Sequence, residues 1–346
     1  MASVTVLITG GAGYLGSGLA RRYVESTDVD VVVTVRPASP SPPPLPGGIR
    51  VVPADLAGPD PLAALDPGPI TRIVHAAAAT RFDIDDDTAR ASVRATEAVV
   101  AFARRCPRLE SLVLLSTVYA SGLANGPIAE APLRDEPVEG FANNYEQSKW
   151  ASERALLKHG AALPWQILRL ATVIAVDASG TVTQHNAFHR TLDLWFHGLL
   201  SVLPGRPGTP LPVISGRFAI EAVTTASGDG VFHATPDAAS VPTLAEVIEL
   251  VTHVFDADPA YRRRRVERPL LTDQEAFELL AGAVGSFRAS LAGQAVKALR
   301  PFARQLYSVK QFETGRLAVR PDDPRLLIAA TACELVRTRW GRHAVA

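Results

Sequence analysis

A chain of 346 residues with 47% hydrophobic content can bury a large core, which excludes disorder as its general state. Lysine plus arginine (35) balance aspartate plus glutamate (35), so there is no electrostatic pull toward nucleic acid or an anionic membrane. Cys106 and Cys333, the two cysteines, supply neither a disulfide framework nor a cysteine zinc site, and no apolar run is long enough to span a bilayer.

The run Val4-Thr5-Val6-Leu7-Ile8 reads as a buried parallel strand, and Leu19 to Val24 as part of a helix. Between them lies Thr9-Gly10-Gly11-Ala12-Gly13-Tyr14-Leu15-Gly16. Strand, glycine turn and helix in that order set the pyrophosphate of a dinucleotide on a helix N-terminus, where free N–H groups and the helix dipole favour an anion. The strand starts almost at Met1 with no signal peptide before it, so a cytoplasmic location is expected.

Val29 to Val35 forms the second strand and delivers Arg36, 20 residues after Gly16. An NAD site usually places an acid here for the ribose hydroxyls; an arginine instead offers a planar cationic fork to a 2′-phosphate. NADP(H) is therefore expected over NAD. The proline-rich stretch Pro37 to Gly48 cannot join a helix or central strand and is read as an extended surface connection.

Ile49 to Val52 is a short third strand followed by Asp55-Leu56. Asp55 has two readings, a contact to the adenine amine or a helix cap, and the sequence does not separate them. Ile70 to His75 is the fourth strand; it leads into Ala76-Ala77-Ala78-Ala79, whose small side chains let backbone lie against a flat ligand. His75 is read as packed rather than catalytic. Asp87 to Arg105 is a long amphipathic helix, and Leu112 to Thr117 a fifth strand with two hydroxyls at its end. Gly122 to Asn143, rich in Gly, Pro and acids, fits a connection that closes over a substrate. A helix runs from about Tyr145 to His159, and Trp165 to Leu170 is the sixth strand.

Alternating strands and helices imply an α/β fold, a Rossmann-type doubly wound parallel sheet. The nucleotide-binding domain is assigned to 1–176 and a smaller, mainly helical substrate domain to 177–346, with Gly230 to Ala234 able to return a strand to the sheet.

Tyr145 and Lys149 lie four residues apart on a helix, on nearly one face with about 6 Å of axial rise between them. A nearby ammonium stabilises a phenolate and lowers the phenol's pKa, suiting it to give a proton to a carbonyl oxygen that receives hydride. Thr117, at the end of the fifth strand, is placed to share the oxyanion. With the glycine loop and the Ser116-Thr117 strand end, the Tyr-x-x-x-Lys pair makes the chain resemble the extended short-chain dehydrogenase/reductases over residues 1 to about 175. The motifs that carry the resemblance are Thr9 to Gly16, Asp55-Leu56, His75-Ala76-Ala77, Ser116-Thr117-Val118-Tyr119 and Tyr145-x-x-x-Lys149. The segments Asn144 to Glu153, Ser116 to Tyr119 and Val35-Arg36-Pro37 look most like the fatty acyl-CoA reductase and thioester reductase branch.

The resemblance implies a Thr117, Tyr145 and Lys149 catalytic set. It also implies cofactor contacts from Gly10, Gly13, Tyr14, Leu15, Gly16, Arg36, Asp55, Leu56, Ala76, Ala77 and Lys149. In one position the chain departs from the family: Ser92 stands where an Asn is common, which puts a water-mediated proton relay in doubt. The activity implied is NADPH-dependent reduction of an acyl thioester, CoA- or carrier-bound, or of a related carbonyl. The alternative is a sugar-nucleotide epimerase or dehydratase, a class that generally retains NAD and which Arg36 argues against. A non-catalytic dinucleotide sensor is disfavoured because Thr117, Tyr145 and Lys149 are all present.

No metal is expected. His185 and His189 have i, i+4 spacing but no third ligand. Arg262-Arg263-Arg264-Arg265 reads first as a solvated run, with CoA phosphates or an acidic carrier protein as the other reading. A small-molecule or carrier-bound substrate is the expected partner, without nucleic acid or a membrane span; homodimerisation is left open.

Overall fold

The computed structural model describes residues 4–26, 28–37, 45–133, 135–284 and 291–341. The proline-rich residues 38–44 lie outside the described residues.

In chain order the first elements are β1 (Val4–Thr9), α1 (Tyr14–Val24), β2 (Val29–Val35), β3 (Ile49–Pro53), β4 (Ile70–His75), α2 (Asp86–Ala103) and β5 (Ser111–Thr117). There follow β6 (Gly126–Ile128), α3 (Asn144–His159), β7 (Trp165–Leu170), β8 (Thr172–Ala175), α4 (Ala187–Phe196), β9 (Val202–Pro204) and β10 (Val213–Ser215). After these come α5 (Gly216–Thr225), β11 (Gly230–Ala234), α6 (Leu244–Asp256), α7 (Pro259–Arg264), β12 (Leu270–Thr272) and α8 (Gln274–Val284). The last are α9 (Leu291–Leu299), β13 (Lys310–Phe312) and α10 (Pro324–Arg337).

Seven strands form one sheet in the order β11-β7-β5-β4-β1-β2-β3, every pair parallel. The near-continuous apolar strands follow from burial on both faces. Along β1, Val6 and Ile8 pack with Leu19 and Ala20 of α1 and Phe218 and Ala222 of α5. Leu7 between them joins Val99, Val100 and Phe102 of α2 and Leu156 of α3 on the other face. The order of connection reverses between β1 and β4, so a crevice opens at their carboxyl ends, where ligands of such sheets sit.

The strand expected near 230 does return, pairing Gly230–Ala234 with Gln166–Leu170 at the sheet edge. A third apolar cluster belongs to the C-terminal half and centres on Trp195, Phe196, Phe255, Tyr261, Leu327 and Trp340. Helices α6 to α10 lie in this half, which the sequence reads as mainly helical. Three short parallel pairs, β10–β8, β12–β9 and β13–β6, complete the described strands. The last pair decides how the loop after β5 is held.

Candidate active site

Gly10 leaves β1 with φ +75°, and a Cβ there would lie 2.8 Å from the Ala77 Cα. A Cβ on Gly16 would fall 2.2 Å from the Gly10 carbonyl oxygen, so helix α1 closes onto the turn only with glycine in place. Gly13 is the N-cap of α1 and has no side chain to satisfy the first-turn N–H groups. Those donors therefore face the crevice, an arrangement that fits a pyrophosphate. Tyr14 turns away, its hydroxyl donating to the Ala175 carbonyl (3.3 Å), and Leu15 packs against the apolar layer below α1. Arg36 is exposed just past β2, in reach of solvent and of a ligand lying along that strand end.

Asp55 is exposed and accepts from the Ala57 N–H (3.3 Å), an Asx turn rather than a cap, since no helix follows it; Leu56 is buried. Ala76 and Ala77 are half-buried, and the Ala77 N–H donates to the Thr9 hydroxyl (3.3 Å). His75 is enclosed between Thr9 (2.7 Å) and Thr96 (3.1 Å), and burial holds its pKa down to about 3. It is a packed, neutral imidazole.

Helix α3 carries the candidate catalytic tyrosine and lysine. Its N-cap Asn143 accepts from the Glu146 N–H, while Glu146 accepts from the Ala142 N–H (2.9 Å), which fixes the first turn beside Tyr145. Tyr145 is buried, and the Thr117 side chain beside it pulls the phenol's pKa down against the effect of burial. Lys149 follows one turn later, buried and donating to the Leu115 carbonyl (3.0 Å). The three sequence-predicted residues thus meet at the carboxyl end of β5.

The electrostatics differ from the sequence expectation. The phenol is not lowered: burial pushes it well above its usual value, with Thr117 pulling the other way and the Tyr119 and Glu146 charges adding to the rise. Lys149 is itself held down to about 8 by burial, opposed by Glu153, and its ammonium is engaged by a backbone carbonyl. A charge so engaged cannot by itself offset desolvation of the phenol.

Around this core lie residues that sequence reading did not assign. Glu153, four residues beyond Lys149, accepts a two-pronged ion pair from Arg169 (2.7 Å at the shortest), with both side chains 0% exposed. The Ser116 hydroxyl donates to the same carboxylate (2.5 Å), and Arg169 also meets His233 (3.2 Å). On the other side, Phe82 lies edge-on to Tyr145 with centroids 5.4 Å apart, and also contacts Tyr119 (5.9 Å) and Phe302 (6.0 Å). Buried Lys310 donates to the Gly122 carbonyl and to Gln305 (2.8 Å). Burial pushes the Glu146 carboxyl up and the Lys310 ammonium down, each opposed by the other's charge.

The loop expected to close over a substrate is fastened. Leu123 N–H bonds Gly140 O (2.9 Å), Gly126 N–H bonds Val309 O (2.8 Å), and Asn143 reaches the Pro301 carbonyl (2.8 Å). The remaining candidates have structural employment. His189 takes the Asn186 N–H (3.0 Å) in a capping box and contacts the Ile174 carbonyl; no group of three potential ligands occurs among the described residues. In the arginine run, Arg264 donates to the Phe196 carbonyl (2.7 Å) and lies over its ring, while Arg262, Arg263 and Arg265 are exposed. Ser92 donates to the Thr88 carbonyl (3.1 Å) within α2, below the alanine run.

A parallel seven-stranded sheet, with a glycine-lined first crossover, carries this tyrosine–lysine helix at its carboxyl edge. In these features the chain resembles the extended short-chain dehydrogenase/reductases, a class of NAD(P)-dependent oxidoreductases. Residues 67–223 match the family model described as Male sterility protein. An isonitrile lipopeptide synthase of Streptomyces coeruleorubidus is 32% identical over 251 residues, 63% of this chain and 16% of that protein. The chain therefore spans about a sixth of the length of the curated relative it matches. Among solved structures, the terminal R domain of the myxalamid PKS-NRPS pathway superposes with TM-score 0.74 at 22% identity, covering 98% of this chain and 92% of that one. A thiolation-reductase di-domain from an archaeal non-ribosomal peptide synthetase gives 0.70 at 16%, over 98% and 76%. A UDP-galactose 4-epimerase gives 0.65 at 16%, over 97% and 100%. At these identities the structural likeness describes the fold.

Proposed function

We propose that the chain is an NADPH-dependent reductase of an acyl thioester, CoA- or carrier-bound, or of a related carbonyl. The observation that carries the reading is the meeting of buried Thr117, at the end of β5, with buried Tyr145 and with Lys149 one turn further along α3, whose ammonium bonds the Leu115 carbonyl of the same strand. Gly10, Gly13, Gly16, Ala76 and Ala77 would cradle the dinucleotide, Asp55 and Leu56 flank its adenine, Arg36 takes the 2′-phosphate, and Lys149 holds the nicotinamide ribose. NADPH, when bound, supplies hydride to the carbonyl carbon. Thr117 and Tyr145 hold the developing oxyanion, and the Tyr145 phenol gives it a proton. The resulting hemithioacetal loses thiol to leave the aldehyde, and a second reduction would yield the alcohol. The relative named as a lipopeptide synthase and the two reductase-domain structures support a thioester over a sugar nucleotide.

The test is net consumption of NADPH with acyl-pantetheine thioesters, whose arm is common to CoA and carrier proteins. Tyr145→Phe should lower turnover by about 100-fold or more while sparing NADPH binding, the range expected for loss of a general acid. Redox-neutral conversion of a sugar nucleotide with retained NAD, or full turnover by Tyr145→Phe, would overturn the reading.

A further inference from the structure

Phe82, Tyr119 and Phe302 come from three distant parts of the chain, the segment after β4, the turn after β5 and the segment after α9; Phe82 packs against Tyr145, and Tyr119 and Phe302 each pack against Phe82. Tyr119 is fixed, its hydroxyl bonded to Thr172 (3.1 Å). Phe82 and Phe302 are only half-buried, so each keeps apolar surface for a further contact. Buried polar groups on the elements that hold these rings are already engaged with protein. Lys310 is bonded to Gly122 and Gln305, and Gln305 donates to the Gly122 carbonyl (2.9 Å). Glu146 is taken by the Ala142 N–H and by Asn143 (3.1 Å), and Asn143 also donates to Pro301.

A hydroxyl-rich substrate against this wall would lose its hydration and find its natural partners occupied, which costs more than the lost contact alone. An alkyl or aryl chain gains from the same surface. We infer that Phe82 and Phe302 are the specificity-determining residues for the acyl group and that they select an extended apolar chain; this rests on the thioester-reductase reading above. The segment carrying Phe302 is held in place by the bonds that fasten the loop after β5, Arg304 to the Phe141 carbonyl (3.1 Å) and Asn143 to Pro301 (2.8 Å). The wall is thus built before substrate arrives.

The experiment compares kcat/KM for octanoyl-pantetheine and acetyl-pantetheine in the intact chain, in Phe82→Ala and in Phe302→Ala. Each alanine variant should lower the octanoyl-to-acetyl ratio by about 10- to 100-fold, mainly through KM, as expected when a hydrophobic wall is removed. Phe302→Leu should recover most of the ratio. Both substrates are read on one preparation, so partial misfolding cancels from the ratio. Unchanged ratios in both alanine variants would overturn the inference and leave thioester reduction standing. Absence of NADPH-dependent turnover of either thioester by the intact chain would instead overturn the reading on which it rests.

Discussion

Arg36 stands exposed at the end of β2, with no second basic residue beside it in Val35-Arg36-Pro37. Its guanidinium can pair a 2′-phosphate by two parallel hydrogen bonds, and an acid there would repel that group while accepting from free ribose hydroxyls. Arg36→Asp should therefore raise the KM for NADPH by about 10-fold or more and lower that for NADH, since charge-assisted pairs of this kind contribute about 1.5–3 kcal/mol. Steady-state kinetics with each cofactor check it; equal loss with both would remove Arg36 from the phosphate site. Arg36, Thr117, Tyr145 and Lys149 were legible in the sequence because each sits at a fixed step from a strand end or along a helix. Phe82, Phe302 and Lys310 were not. Their contacts with Tyr145 or its neighbours span more than 60 residues of chain, and a lone phenylalanine or lysine carries no local pattern saying what it will meet.

Helix α3 presents Tyr145, Lys149 and Glu153 at steps of four, a stripe running inward from the reactive end to the core. Glu153 raises the pKa of Lys149 against burial, with Arg169 of β7 behind the carboxylate and neutral His75 of β4 nearby. In the proposed mechanism Lys149 acts through its charged form, so kcat/KM should fall as pH rises through about 8. Weakening the carboxylate makes the ammonium harder to keep, so Glu153→Gln should move that falling limb to lower pH, read from pH–rate profiles. A limb that stays in place would assign Glu153 a purely structural role.

The same pair tests packing. Either Glu153→Gln or Arg169→Met leaves a buried partner uncompensated and should destabilise the fold by about 3–5 kcal/mol. The double variant should cost clearly less than the sum of the two, as denaturant melts would show. Sequence periodicity revealed the helix and the Tyr–Lys face but not this pair. A charged residue on a helix is normally read as solvated, and only the buried contact of Glu153 with Arg169 of β7 shows otherwise. The loop after β5 is read from its Gly, Pro and acids as fitting a connection over a substrate; the β13 partner that fastens β6 lies about 180 residues on and gives no sign in local composition.

Across the whole molecule, three histidines are buried: His75 in β4 and His233 in β11 of the central sheet, and His189 in α4. Burial is the first cause in each, with Lys149, His185 and Arg169 respectively adding like charge, and it holds their pKa values to about 3, 4 and 4. Unfolded, each titrates near 6.5. Between that value and the folded pKa the unfolded chain binds protons that the folded chain refuses, so stability falls as pH falls. Each contributes up to about 1.4 kcal/mol per pH unit over that window, offset in part by Glu146, whose raised pKa acts in the opposite sense. These histidines sit in both halves of the chain, so acid should loosen the sheet and the C-terminal layers together. The melting temperature should drop by several degrees between pH 7.5 and 5.5, as a cooperative step in both near- and far-UV circular dichroism. His233→Gln, which cannot charge, should shallow the slope. A melting temperature independent of pH over that interval would mean that the buried imidazoles are not neutral in the folded chain.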